Sequence, residues 1–233
     1  MRRPWWQLAP RVKHNQCIVL NSGGLDSLVV LAYVISLGYK PLSLFINHGH
    51  ISNSKESTAS KQIAKYYNCP HFVESINLNI WHDHDFMLNG SKAHNPFIPM
   101  RNFILFSIAA SYCDTMGIPN LGIGWDGIEK NGKLYSNGWD THSTFINMLR
   151  YAFNEGSRLN HVSGEQLNII SPLVNYTKSD TAKLGLSLDV PFELSWSCFS
   201  GKRRTPCGTC VKCISREALK PLGITNKFTT LKG

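Results

Sequence analysis

Short apolar runs alternate with stretches of helical periodicity along most of the chain, and this alternation restricts the fold more than any other feature. Cys17-Ile18-Val19-Leu20 reads as a strand that ends in a Gly-Gly turn, and residues 28–37 behind it carry helix-like spacing stopped by Gly38. Leu42-Ser43-Leu44-Phe45-Ile46 predicts a second strand, residues 56–67 a helix with Ile63, Ala64 and Tyr67 on its apolar face, and residues 71–76 a third strand. Residues 102–116 read as a helix, Leu121-Gly122-Ile123-Gly124 as a buried strand, residues 144–153 as a helix and residues 167–170 as a late strand. Parallel strands need crossovers and helices are the usual crossover, so the expected fold is α/β, a doubly wound parallel sheet. Small molecules bind such sheets beyond the carboxyl ends of the strands.

Residues 77–99 interrupt the pattern with a His-, Asp- and Asn-rich segment, too polar for a core element and longer than an ordinary connection. From about Pro191 the composition shifts to turns, cysteines and basic residues. The expected organisation is an N-terminal arm over 1–16, an α/β domain over 17–190 and a small C-terminal element over 191–233. No stretch approaches the roughly 18 to 20 apolar residues that span a bilayer, and the start lacks the apolar centre of a signal peptide, so a cytoplasmic protein without membrane association is expected. A net charge of +9 suits an anionic partner without naming one.

Two motifs carry chemistry. In Ser22-Gly23-Gly24-Leu25-Asp26-Ser27, two glycines let the backbone approach an anion, two serines offer hydroxyls, and the following helix presents free N–H groups with partial positive charge. This describes a phosphate cradle, although neither the Walker ending nor the G-x-G-x-x-G pattern is present. The plainer alternative is a turn in which Asp26 and Ser27 cap a helix. In the second motif Cys198, Cys207, Cys210 and Cys213 follow a C-x8-C-x2-C-x2-C spacing, with Gly201 and Gly208 permitting tight turns. Four thiolates can converge on one tetrahedral Zn²⁺, and a closed shell of this kind is structural. An iron–sulfur cluster is the competing occupant. Cys17, Cys69 and Cys113 stand alone, and the histidines His48, His50, His82 and His84 show no compelling ligand spacing.

At the Ser-Gly-Gly-Leu-Asp-Ser string the chain resembles the N-type ATP pyrophosphatases, whose fold is adenine nucleotide alpha hydrolase-like. Within them it is most similar to the 7-cyano-7-deazaguanine synthase (QueC) family, from Cys17 to about Leu219. Ile98-Pro99-Met100-Arg101-Asn102 resembles that family's Val-Pro-Gly-Arg-Asn segment. Ser171-Pro172-Leu173, Thr177-Lys178-Ser179 and Leu184-Gly185 match its Thr-Pro-Leu and Ser-Lys stretch, while the strings at residues 191–198 and 206–210 follow its Pro-Tyr-Glu-Leu-Thr-Trp-Ser-Cys and Pro-Cys-Gly-x-Cys. The resemblance implies an ATP-dependent carbon–nitrogen ligase that uses Mg²⁺ and carries Zn²⁺. It places ATP on Ser22, Gly23, Gly24, Leu25, Asp26 and Ser27, catalytic roles on Asp26, Lys178 and Arg101, and the deazaguanine substrate near Arg101, Asn102 and Asp140. The acceptor it implies is ammonia, and it admits a homodimer. Arg101 as a salt-bridging residue at a helix start, and Lys178 as a solvated first-turn residue beside Asp180, are the plainer alternatives.

The chain also departs from that family. Asn47-His48-Gly49-His50-Ile51 replaces its Tyr-Gly-Gln-Arg-His, Met100 stands where a Gly precedes the Arg, and Ser136-Asn137-Gly138-Trp139-Asp140-Thr141-His142-Ser143 keeps the Asp but has His142 in place of an Arg. The arm carries Trp5, Trp6, Arg2, Arg3, Arg11, Lys13 and His14, a surface for a partner or a cover for a strand edge. These departures leave open an acceptor amine on a protein or nucleic acid. A tRNA-modifying enzyme and a zinc module binding nucleic acid through Lys202, Arg203 and Arg204 are the rival classes.

Overall fold

The structure, a computed structural model, describes residues 9–49, 52–78, 100–126, 140–199 and 205–230. Five strands form one parallel sheet in the order β3-β2-β1-β4-β5: β1 (Gln16–Leu20), β2 (Lys40–Asn47), β3 (His71–Ser75), β4 (Asn120–Gly122) and β5 (Asn168–Ile170). The chain builds outward from β1 to β3 and then crosses back to lay β4 and β5 on the other side. Strand order therefore reverses between β1 and β4, where Ile18 pairs with both Leu42 and Leu121. The crevice at that reversal, beyond Leu20 and Gly122, is where a sheet of this class holds a ligand.

Central strand β1 is apolar at successive positions because both of its faces are covered. Cys17 and Val19 point into a layer formed by α1 (Leu25–Ser36), Ile63 of α2 (Asn53–Tyr66) and Ala182 of α6 (Lys178–Ser187). Ile18 points the opposite way, onto Phe106, Ala109 and Cys113 of α3 (Arg101–Met116) and Ile146 and Leu149 of α4 (Ser143–Gly156). The expected doubly wound arrangement is thus present, with helices on both faces.

Local chemistry moves several boundaries from their expected places. α1 starts at Leu25, three residues before its periodic apolar face, because Gly24 takes the N-cap position. α2 begins at Asn53, ahead of the expected residue 56. β4 keeps only three ladder residues, although Ile123 N still donates to Ile170 O at 3.0 Å. α4 runs on to Gly156, and α5 (Arg158–Ser163), which sequence periodicity does not announce, follows where the Ser157 hydroxyl caps Asn160 N. α6 opens with a reciprocal capping box between Thr177 and Asp180. Most of the polar segment 77–99, the arm up to residue 8, and His50, His82, His84 and Lys202-Arg203-Arg204 lie outside the described residues.

Beyond α6 the chain makes a short 3-10 turn (Phe192–Leu194), then α7 (Val211–Glu217) and a last 3-10 turn (Lys220–Leu222). Arg216 organises this stretch. Its buried guanidinium donates to Phe192 O at 2.6 Å, Ser195 Oγ at 2.7 Å, Thr225 O at 3.0 Å and Ser197 Oγ at 3.1 Å. Burial lowers its pKa to about 10, and it stays charged at neutral pH. Trp196 is buried against Ala59 and meets Phe228 edge-on at 5.2 Å. Replacing Arg216 with Met strands several buried acceptors, each worth roughly 1–3 kcal/mol. Urea denaturation of Arg216→Met should show a loss on the order of 3 kcal/mol. Limited proteolysis should cut first between residues 192 and 230, whereas Arg216→Lys, lacking the planar fork, should recover only part of the loss.

Candidate functional site

Asn21 follows the last residue of β1, and its buried side chain pins the turn from both ends. Its amide nitrogen donates to Ser43 Oγ at 3.0 Å and Ser60 O at 3.1 Å, while its Oδ1 accepts from Gly23 N at 3.0 Å and Ser27 Oγ at 3.4 Å. Ser60 Oγ returns a bond to Asn21 O at 2.9 Å. Gly23 sits at φ +74°, and a Cβ there would lie 2.3 Å from Glu56 O, so only glycine lets the turn lie against α2. The helix N-terminus behind Gly24 has no side-chain cap, which leaves the first N–H groups of α1 facing the turn. Ser22 and Ser27 hydroxyls stand 3.3 Å apart beside them. The arrangement is that of an anion cradle, which Asp26 and Ser27 acting only as caps would not produce.

Behind the cradle lies a charge cluster. Lys178 Nζ, in the first turn of α6, is 2.6 Å from Asp26 Oδ2 and 2.8 Å from Asp126 Oδ2. Burial alone would lower the Lys178 pKa, but the two carboxylates outweigh it and hold the ammonium above its ordinary value. Burial pushes the Asp26 carboxyl up, Lys178 offsets part of the rise, and Asp126 adds to it. Two carboxylates against one ammonium leave the cluster net negative, and Asp26 Oδ1 is buried without a hydrogen-bond partner among the described residues. That oxygen suits a hard divalent cation such as Mg²⁺. Lys178 is accordingly not the solvated residue that its neighbour Asp180 would suggest.

A cavity of about 180 Å³ opens beside the cradle, walled by Ser22, Ser27, His48, Arg101, Asn102 and Trp125, with Glu56, Phe199 and Lys212 completing one side. Arg101 and Asn102 start α3 directly after Met100, which adopts a left-handed φ of +56°. Asn102 N donates to Asp140 Oδ2 at 3.4 Å and its side-chain amide to Asp140 O at 3.4 Å. Asp140 is therefore held against the head of α3, one residue behind the described cavity wall. His142 caps α4 by accepting from Phe145 N at 3.3 Å, a helix-terminal role. Burial, reinforced by the charge of Arg101, lowers the His48 pKa and favours the neutral imidazole.

The cysteine side chains converge. The Sγ atoms of Cys198, Cys207, Cys210 and Cys213 all lie within 4.8 Å of one another. Cys207 and Cys213 are 3.9 Å apart, against the roughly 3.8 Å edge of a tetrahedron with ~2.3 Å metal–sulfur bonds. Burial works to raise the Cys207 thiol, but N–H groups of Thr209 and Cys210 and the Thr209 hydroxyl bring it to about 6, favouring thiolate. The donor set fits a thiophilic tetrahedral metal. Cys17 and Cys69, by contrast, are pushed up to about 12 and about 11 by burial, and Cys113 is raised by burial as well. None of the three is an activated thiol.

Every predicted site residue thus falls at or next to the reversal point, except the cysteines, which form their own cluster. Asn21, Asp126, Glu56, Trp125 and Lys212 were not anticipated. Asn21 had one usable signal, a polar residue directly behind a buried strand. The others meet the site through long-range contacts, such as the 156 residues separating Glu56 from Lys212.

The sequence profile of the family described as "Queuosine biosynthesis protein QueC" matches residues 16–221. A protein of Picrophilus torridus named 7-cyano-7-deazaguanine synthase is 34% identical over 213 residues, 87% of this chain and 85% of its own length. Proteins of the same name from Thermoplasma acidophilum and Clostridium kluyveri are 32% and 30% identical, and cover 88% and 90% of this chain and 87% and 95% of themselves. With the match running from the central strand through the cysteine cluster and α7, the chain belongs to the QueC family.

Proposed function

We propose that the chain is an ATP-dependent 7-cyano-7-deazaguanine synthase. The observation that carries this reading is the cradle pinned by Asn21 opening, across one cavity, onto Arg101 and Asn102. The synthase name borne by its relatives supplies the substrate class. A carboxylate oxygen of 7-carboxy-7-deazaguanine attacks the α-phosphorus of ATP, and the bond from that phosphorus to the bridging oxygen of pyrophosphate breaks. Backbone N–H groups of residues 25–27 and the hydroxyls of Ser22 and Ser27 hold the departing pyrophosphate. Arg101 steadies the anionic oxygens on the opposite side. Ammonia then attacks the acyl carbon, AMP leaves and a proton is released, giving the amide. The amide oxygen attacks the α-phosphorus of a second ATP, displacing a second pyrophosphate, and loss of AMP with the two remaining N–H protons yields the nitrile.

Lys178, fixed between Asp26 and Asp126, keeps its charge throughout, so it serves as a positioned cation and not as an acid. Mg²⁺ held at Asp26 would supply neutralisation of charge on the phosphoryl oxygens. Asp140 presents a carboxylate suited to a guanine-like N1–H and 2-amino group, steered by Asn102. The four thiolates would hold Zn²⁺ in a closed structural shell, binding the C-terminal element to the α/β domain. The protein would act in the cytoplasm, where the described helices give no candidate for a membrane span. The tRNA-modifying alternative needs a reactive cysteine pair outside the cluster, and Cys17, Cys69 and Cys113 do not provide one. The relatives' shared name favours ammonia over an amine on a macromolecule as acceptor.

Mass spectrometry after incubation with ATP, 7-carboxy-7-deazaguanine and ammonia should find the free nitrile with AMP and pyrophosphate. AMP formation that stops before the nitrile would exclude the synthase reading and leave a conjugating enzyme. Asp26→Asn keeps the shape of the cluster and removes one charge, so turnover should fall on the order of a hundredfold while circular dichroism and the melting temperature remain near wild type. Elemental analysis of freshly purified protein should return one zinc per chain. Cys210→Ser should lose that metal and melt several degrees lower, and iron with visible absorption in the parent protein would contradict the zinc assignment.

A further inference from the structure

Lys212 reaches the nucleotide cavity from an unexpected direction. It lies on α7 between Cys210 and Cys213, yet its ammonium is 3.3 Å from Glu56 Oε1 and 4.8 Å from the centre of the Phe199 ring, and all three side chains line the cavity that holds Ser22 and Ser27. Glu56 belongs to the turn of α2 against which Gly23 is pressed, so the ammonium stands beside the cradle itself. Its charge reaches both ends of the site, offsetting a small part of the burial-driven rise of the Asp26 pKa and adding slightly to the burial-driven fall of the His48 pKa.

The two lysines of the site differ in how firmly they are held. Lys178 is clamped at 2.6 and 2.8 Å between two carboxylates, and its charge is more than neutralised there. Lys212 makes one longer ion pair and rests over the Phe199 ring, and its side chain is 43% exposed against 38% for Lys178. The helix that carries Lys212 is already fixed by several buried bonds of Arg216, so the pair with the nearly buried Glu56 carboxylate is not its main anchor. Glu56 also accepts from Ser52 Oγ at 2.8 Å, so its carboxylate keeps a partner when the lysine moves. A phosphate carrying two or more negative charges outcompetes one carboxylate for a mobile ammonium.

We infer that Lys212 is a phosphate-binding residue of the ATP site, delivered by the cysteine-bearing element, with Glu56 as its partner when no nucleotide is bound. The inference rests on the reading of the loop as an ATP site and adds a contact that comes from outside the α/β domain.

Titration calorimetry of the intact, metal-containing protein with inorganic pyrophosphate, ATP and adenosine tests it. Lys212→Gln should bind pyrophosphate and ATP about tenfold more weakly and adenosine unchanged, with wild-type metal content. Glu56→Gln, which keeps the acceptor for Ser52 and removes the competing charge, should bind pyrophosphate as tightly as wild type or several-fold more tightly. Equal weakening by both variants, or wild-type affinity in Lys212→Gln, overturns the proposal and shows a brace between α2 and α7. If Lys212→Gln folds poorly, Lys212→Arg decides: retained pyrophosphate affinity supports the role of the charge, and a tenfold loss in a folded Lys212→Arg overturns it. Wild-type protein that binds neither ATP nor pyrophosphate refutes the ATP reading itself, a result distinct from failure of Lys212 alone.

Discussion

The site depends on the buried amide of Asn21. An amide inside a protein must satisfy donors and acceptor together, and here the donors are spent on β2 and α2 while the acceptor holds the turn and the first helix. Three elements are thereby locked to the end of the central strand before any ligand arrives. A cradle preorganised in this way does not have to arrange its N–H groups during reaction, which is the condition under which such donors stabilise departing charge most. The surrounding geometry follows from the same point: Gly23 must be glycine because Asn21 draws the turn onto α2, and Gly24 must leave the helix uncapped if its N–H groups are to face outward.

Charge is arranged around this scaffold asymmetrically. Behind the loop, Asp26, Asp126 and Lys178 form a net negative, partly buried cluster. In front, Arg101 and Lys212 face the cavity. On the proposed reading, a nucleotide entering between them would meet cations on the side of its own phosphates, and a divalent ion held at Asp26 would neutralise the leaving group.

Much of this was legible in the sequence, for reasons that particular residues make plain. The cradle is a contiguous string, so Ser22 to Ser27 announce it. The cysteine cluster is readable because ligand spacing in a metal knuckle is local. The parallel sheet shows itself through successive apolar residues at 17–20 and, apart from Ser43, at 42–46, a pattern that fits a strand covered on both faces. The pairing of Asp26 with Asp126 and Lys178 was not legible, because contacts across the order reversal of a sheet leave no local periodicity. Nor was the role of His142: a histidine in place of an arginine suggests altered recognition, whereas the folded chain uses it to cap α4. Lys212 was hidden by its neighbours, since a lysine between two clustered cysteines reads as solvent-facing decoration.

The carbonyl of Gly23 accepts a hydrogen bond from Trp196 N at 2.8 Å. Asp26 meets Lys178 across 152 residues and Glu56 meets Lys212 across 156. Contacts of such separation close late, because the entropy of the intervening loop is lost before they return anything. A chain that has laid down β1, α1, β2 and α2 therefore has the Asn21 pins of its turn, but lacks the Trp196 bond to Gly23 and the counter-charges of Lys178 and Lys212 until the later residues fold back. The loop in this architecture is thus completed by a residue synthesised 152 positions after Asp26.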